Sequence, residues 1–129
     1  MPLVRIGMVE GKTAEYRRAV CDAIHRALVD AIKIPPQDRF QLLGEHRPEE
    51  LIYDDSYLGI SRSPDVLLIQ ITLSTGRSVE MKKALFARIA ELLAKSPGVR
   101  KEDVFVSLIE VAKENWSFGN GVAQYATDG

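Results

Sequence analysis

Two stretches of the chain, Gly11-Lys12-Thr13-Ala14-Glu15 and Gly76-Arg77-Ser78-Val79-Glu80, match in charge, size and spacing at a shift of 65 positions. The shift holds without a gap on both sides of these stretches. It superimposes these further pairs: Ile24 on Ile89, Leu28 on Leu93, Ile34 on Val99, Asp38 on Asp103, Leu43 on Leu108 and Glu45 on Glu110. Agreement over that length indicates two copies of one supersecondary unit.

Each copy has the pattern of a strand, a helix and a second strand. The apolar runs Leu3 to Val9 and Val66 to Leu73 are typical of buried strands. Arg39 to Glu45 and Val104 to Glu110 are the predicted closing strands. Between them, apolar residues at helical spacing predict a buried stripe on each helix: Val20, Ile24, Ala27, Leu28 and Ala31 in the first, and Leu85, Ile89, Leu92 and Leu93 in the second.

The predicted helices carry start and stop signals. Thr13 and Ser78 are suited to N-caps because their hydroxyls can accept a backbone N–H. Proline cannot continue a helix, so the helices should end before Pro35-Pro36 and at Ser96-Pro97-Gly98.

These units predict an α/β (α+β) fold in which two βαβ units form a four-stranded sheet with both helices on one face. We expect one domain over 1–129, with the repeat at 2–46 and 67–111 and an unrepeated appendage at 112–129. The other face of the sheet is bare and apolar in a single chain, which favours oligomerisation.

The composition excludes several classes of protein. The 17 basic and 18 acidic side chains give no reason to expect binding to nucleic acid or to an anionic membrane. One cysteine and two histidines exclude an intramolecular disulfide and the usual structural zinc patterns. No apolar run reaches the length of a membrane span, so we expect a cytoplasmic protein.

Three segments carry a family resemblance. They are Pro-Pro-Gln-Asp-Arg at 35–39, Leu-Gly-Ile-Ser-Arg at 58–62 and Asn-Trp-Ser-Phe-Gly-Asn-Gly-Val-Ala-Gln-Tyr at 115–125. With a strand that begins at Pro2 and two βαβ units, the chain resembles the tautomerase superfamily and, within it, the malonate semialdehyde decarboxylases. The resemblance spans nearly the whole chain. It implies a homotrimer, no cofactor and a short oxo acid as substrate.

The resemblance also implies site residues. It makes Pro2 the catalytic amine, Asp38 its carboxylate helper and Arg77 the clamp for the substrate carboxylate. The family has two arginines separated by one residue in the loop after its third strand. This chain has Thr75-Gly76-Arg77 there and lacks the first arginine. Arg39 and Arg62 are the candidates to replace that arginine. The further residues expected at the substrate are Thr75, Arg39, Arg62, Trp116, Phe118 and Tyr125.

Three of these residues can also be judged from the sequence. Pro2 is a basic amine only if Met1 is removed, because an internal proline nitrogen is an amide; a free α-amino group titrates at about 7.7 to 8.0. Arg77 and its repeat partner Lys12 both precede a helix N-terminus, where a cation opposes the helix dipole, and this indicates a nearby anion. Asp38 has a counterpart in Asp103, so both could organise a turn.

The sequence therefore predicts a cofactor-independent acid/base enzyme. If the Pro2 amine is neutral at pH 7, keto-enol tautomerisation follows; if it is protonated, it polarises a carbonyl and favours loss of carbon dioxide. Hydration is a third possible activity. The alternative is a trimeric binding or interaction protein without catalysis on the same scaffold.

Overall fold

The structure is a computed structural model that describes residues 1–126. Its strands and helices, in chain order, are β1 (Leu3–Val9), α1 (Ala14–Ile32), β2 (Gln41–His46), β3 (Leu67–Ser74), α2 (Val79–Lys95) and β4 (Val104–Val111). The appendage contains the 3-10 turns Lys113–Asn115 and Gln124–Ala126. The last three residues of the predicted appendage, 127–129, lie outside the described part of the chain.

The four strands form one mixed sheet in the order β2-β1-β3-β4. Within each βαβ unit the two strands are parallel, while β1 and β3 pair antiparallel with Ile6 opposite Ile69 at the centre. This antiparallel seam places the start of β1, at Leu3, opposite Thr72 near the end of β3. The predicted pair of βαβ units in one four-stranded sheet is confirmed.

The core lies between the sheet and the two helices. Alternate positions of β1 and β3 point into it, and they are joined by the apolar stripes of α1 and α2 in one buried cluster. The guanidinium of Arg88 on α2 donates two hydrogen bonds to Asp30 on α1, at 2.9 and 2.8 Å. None of the helices in residues 1–126 is long and apolar enough to cross a membrane.

The face of the sheet opposite the helices is uncovered in the single chain. Leu42 on β2 and Phe105 and Ile109 on β4 leave 60%, 48% and 40% of their surface exposed. An apolar face of this kind on one protomer is typical of a subunit interface.

The helix ends follow the predicted signals. The Thr13 hydroxyl accepts the N–H of Tyr16 at 3.0 Å, and the Ser78 hydroxyl accepts that of Met81 at 3.2 Å. The predicted strand at Arg39 begins later, at Gln41, because the residues before it form a turn in which the Asp38 N–H donates to the Pro35 carbonyl at 3.0 Å.

Candidate active site

One end of the sheet gathers the ionisable groups expected at a site. The strand β1 starts there, between the turn that carries Asp38 and the loop after β3 that carries Arg77. Two adjoining cavities of about 580 and 400 Å³ open at this end. Both are lined by Met1, Arg77 and Tyr125, so they form two lobes of one cleft.

The amino group and Asp38 are the pair with acid/base potential. The nitrogen of Met1 lies 3.7 Å from Oδ2 of Asp38, whose side chain is more than nine-tenths buried. Its other oxygen, Oδ1, is buried with no hydrogen-bond partner among residues 1–126. Burial lowers the pKa of the Met1 amine, the Arg77 charge lowers it further, and the Asp38 charge opposes both. The amine is thus held closer to neutrality than an exposed one.

Arg77 is placed by a glycine turn. Gly76 has φ of 124°, a conformation that L side chains rarely adopt, and it turns the chain from β3 toward α2. One guanidinium nitrogen of Arg77 donates to the Ser74 carbonyl at 2.8 Å. No carboxylate of the described residues pairs with Arg77, so its remaining donors are available to an anion in the cleft.

The appendage supplies an aromatic wall. The Trp116 indole N–H donates to the buried Ser74 hydroxyl at 3.0 Å, which anchors the appendage beside the end of β3. The Trp116 ring stacks on Phe118 at 5.4 Å between centroids, and Phe118 meets Tyr125 edge-on at 4.8 Å. Trp116 and Phe118 therefore support Tyr125, which faces both lobes.

The other residues expected from the sequence divide between the cleft and the surface. Thr75 lines the larger lobe, and Pro2 is buried directly behind Met1. Arg39 is turned toward α1, where it donates to Asp22 at 2.7 Å, and Arg62 donates to backbone carbonyls of its own loop. Neither arginine lines a lobe of the cleft in the single chain.

Two residues of the appendage that line the larger lobe, Lys113 and Gln124, were not among the predicted site residues. Both belong to the unrepeated appendage, where no periodicity predicted a position. Gln124 organises that segment, since its side chain accepts the Phe118 N–H and donates to the Gly119 carbonyl, each at 2.9 Å. The one available signal for Lys113 was its proximity in sequence to the Trp-Ser-Phe-Gly motif.

The cleft combines an amine, a carboxylate and a guanidinium. An amine near neutrality can take or give a proton, and a guanidinium beside it can bind a carboxylate. Within residues 1–126, no group of three or more His, Cys, Asp and Glu side chains is arranged to hold a metal ion.

Known proteins match nearly the whole chain. Two family models, each described as "Tautomerase enzyme", match residues 38–119 and 2–60. The probable tautomerase YusQ of Bacillus subtilis (strain 168) is 38% identical over 124 residues, which cover 96% of this chain and 98% of that protein.

Solved structures agree with this match. FG41 malonate semialdehyde decarboxylase, inhibited by 3-bromopropiolate, has a TM-score of 0.90 and 46% identity, with 95% of this chain and 93% of that one covered. A wild-type fused 4-OT, solved as a symmetric trimer, has a TM-score of 0.79 and 26% identity, with 96% and 98% covered. The fold, the family models and the relatives agree, and the chain belongs to the tautomerase family.

Proposed function

We propose that this protein is a cofactor-independent acid/base enzyme that acts on a short oxo acid, with the amine of Pro2 as the proton-transfer group after removal of Met1. The observation that carries the proposal is the amino group beside the buried Asp38, in a cleft whose guanidinium has donors to spare. The similarity to a malonate semialdehyde decarboxylase and to a probable tautomerase supports it.

In the proposed mechanism, Arg77 binds the carboxylate of the substrate and so places its carbonyl or enol beside the amine. A neutral Pro2 amine takes a proton from carbon and returns it elsewhere, which interconverts the keto and enol forms. A protonated amine instead donates a hydrogen bond to the carbonyl oxygen. Cleavage of the bond to the carboxylate then releases carbon dioxide, and the resulting enol takes a proton at carbon.

Asp38 and the aromatic wall have supporting roles in this mechanism. The Asp38 carboxylate stabilises the protonated amine, and its unpartnered oxygen can accept a hydrogen bond from a water or a substrate hydroxyl. Tyr125, backed by Trp116 and Phe118, limits access of water and strengthens the interaction of Arg77 with the substrate.

We also propose a homotrimer, supported by the uncovered sheet face and by the trimeric fused 4-OT. The cytoplasmic location expected from the sequence stays a prediction.

The proposal is tested by comparing the kcat/KM of protein with and without Met1 on phenylenolpyruvate and malonate semialdehyde. Intact mass identifies which form each preparation contains. The form that keeps Met1 should lose at least about 100-fold in kcat/KM, because its Pro2 nitrogen is an amide. Pro2→Ala in the processed protein should lose a similar factor with the trimer intact. The matched control is Pro48→Ala, at an exposed proline outside both lobes of the cleft.

Equal rates for the two forms would remove Pro2 from the mechanism. No turnover of either substrate by the processed protein would favour the alternative, a trimeric binding protein on the same scaffold.

A further inference from the structure

The larger lobe of the cleft holds two side-chain cations, Arg77 and Lys113. No acidic residue among those described lines this lobe. Asp38 lines the smaller lobe, where it faces the amine. The larger lobe therefore has an excess of positive charge, and such a cavity concentrates anions.

The backbone fixes Lys113 beside the loop that carries Arg77. Ser74 pairs with Val111 at the end of the β3–β4 ladder, and the Thr75 N–H donates to the Val111 carbonyl at 3.0 Å. The turn at Lys113–Asn115 follows, closed by the Trp116 backbone N–H, which donates to the Lys113 carbonyl. The Trp116 indole N–H then ties the end of this turn to the Ser74 hydroxyl. Lys113 thus lies two residues past a fixed pairing position, and its place near Arg77 follows from the sheet register.

The positive charge of the larger lobe is uncompensated, unlike that of Lys12, the repeat partner of Arg77. Lys12 is neutralised by Asp65, with Nζ 2.7 Å from the carboxylate. Arg77 donates to a carbonyl instead, and within residues 1–126 Lys113 pairs with no carboxylate. Two cations of one lobe are left to a ligand.

We propose that Lys113 is a second cation for the substrate carboxylate, which it binds together with Arg77; this rests on the proposed function. The Lys113 side chain is exposed at the mouth of the lobe, so water and salt screen its charge. It contributes to binding in the ground state and the transition state alike, and therefore to KM more than to kcat.

The test is Lys113→Met, with Lys83→Met on the exposed surface of α2 as the matched control. Lys113→Met should raise KM for phenylenolpyruvate by about 3- to 10-fold with kcat within about 2-fold of wild type. It should also reduce the dependence of kcat/KM on ionic strength, and Lys113→Arg should restore both. Lys83→Met should change neither.

An unchanged KM and salt dependence in Lys113→Met would overturn the role of Lys113 while leaving the proposed function intact. If the processed wild-type protein turns over no substrate, binding of propanoate followed by NMR decides instead. Weaker binding to Lys113→Met than to Lys83→Met supports the second cation, and equal binding refutes it.

Discussion

Equivalent positions of the repeat lie at the two ends of the β1–β3 strand pair, and their charged side chains differ in whether they are paired. We call the end with the cleft the open end and the other the closed end. At the closed end, Asp103 is buried and satisfied: it accepts the Ser63 N–H at 2.7 Å and the Ser63 hydroxyl at 2.6 Å, and it lies 3.6 Å from Arg100. At the open end, its counterpart Asp38 is also buried, but one oxygen has no partner among the described residues. The carboxylate at this repeat position is therefore structural at the closed end, whereas at the open end it has an oxygen available to a ligand.

The cations differ in the same way. At the closed end lies the connector between the two copies, residues 47–65, and its Asp65 neutralises Lys12. At the open end Arg77 faces a cleft. The repeat therefore supplies both ends with similar groups, and residues 63–65 decide which end is left free for a ligand.

The largest expected contrast is in stability. Asp103→Ala should lower the free energy of unfolding by about 3 kcal/mol, because it removes a buried, fully paired carboxylate and leaves the half-buried Ser63 donors without a charged acceptor. Asp38→Ala should lower it by less than about 1 kcal/mol, since the residue it removes is poorly satisfied. Urea denaturation at one protomer concentration measures both. Equal losses would mean that Asp38 is as structural as its counterpart.

The second contrast is in the titration of the amine. The Asp38 charge raises the pKa of the Met1 amine and the Arg77 charge lowers it. If the Pro2 amine takes the same place after processing, Asp38→Asn should move its inflection in the pH profile of kcat/KM to lower pH, and Arg77→Gln should move it to higher pH. Asp65→Asn, at the closed end, is the control and should leave it in place. Shifts in the opposite directions would contradict the assignment.

The smallest effect is expected at Lys12. Asp65→Asn removes a partly exposed ion pair and should cost about 0.5 kcal/mol of unfolding free energy. The pKa of Lys12 should fall, because its hydrogen bond to Asp65 raises it. Denaturation and titration by NMR check the two effects. A loss of more than about 2 kcal/mol in unfolding free energy would show that the Asp65–Lys12 pair holds the connector as firmly as the hydrogen bonds from Ser63 to Asp103 do.

The repeat made the fold predictable because its strands, helix stripes and caps are local patterns that recur at one spacing. The same repeat places Asp38 and Arg77 on turns at one end of the sheet, whereas the roles predicted for them came from the family resemblance. The surroundings of Arg39 and Arg62 did not follow, because a long cationic side chain takes whichever partner packing brings near it. For Arg39 that partner is Asp22, and for Arg62 it is the carbonyls of residues 54, 57 and 60. Lys113 lies in the segment that has no second copy to compare.

The bond between Trp116 and Ser74 has a practical consequence. Trp116 is the chain's one tryptophan, and its ring stacks on Phe118, which touches the Tyr125 wall of the cleft. Its emission therefore comes from a single place, one hydrogen bond away from Ser74 in the lining of the larger lobe. The protein thus carries a native optical reporter beside the cleft, and we expect ligand binding to change its fluorescence without any added label.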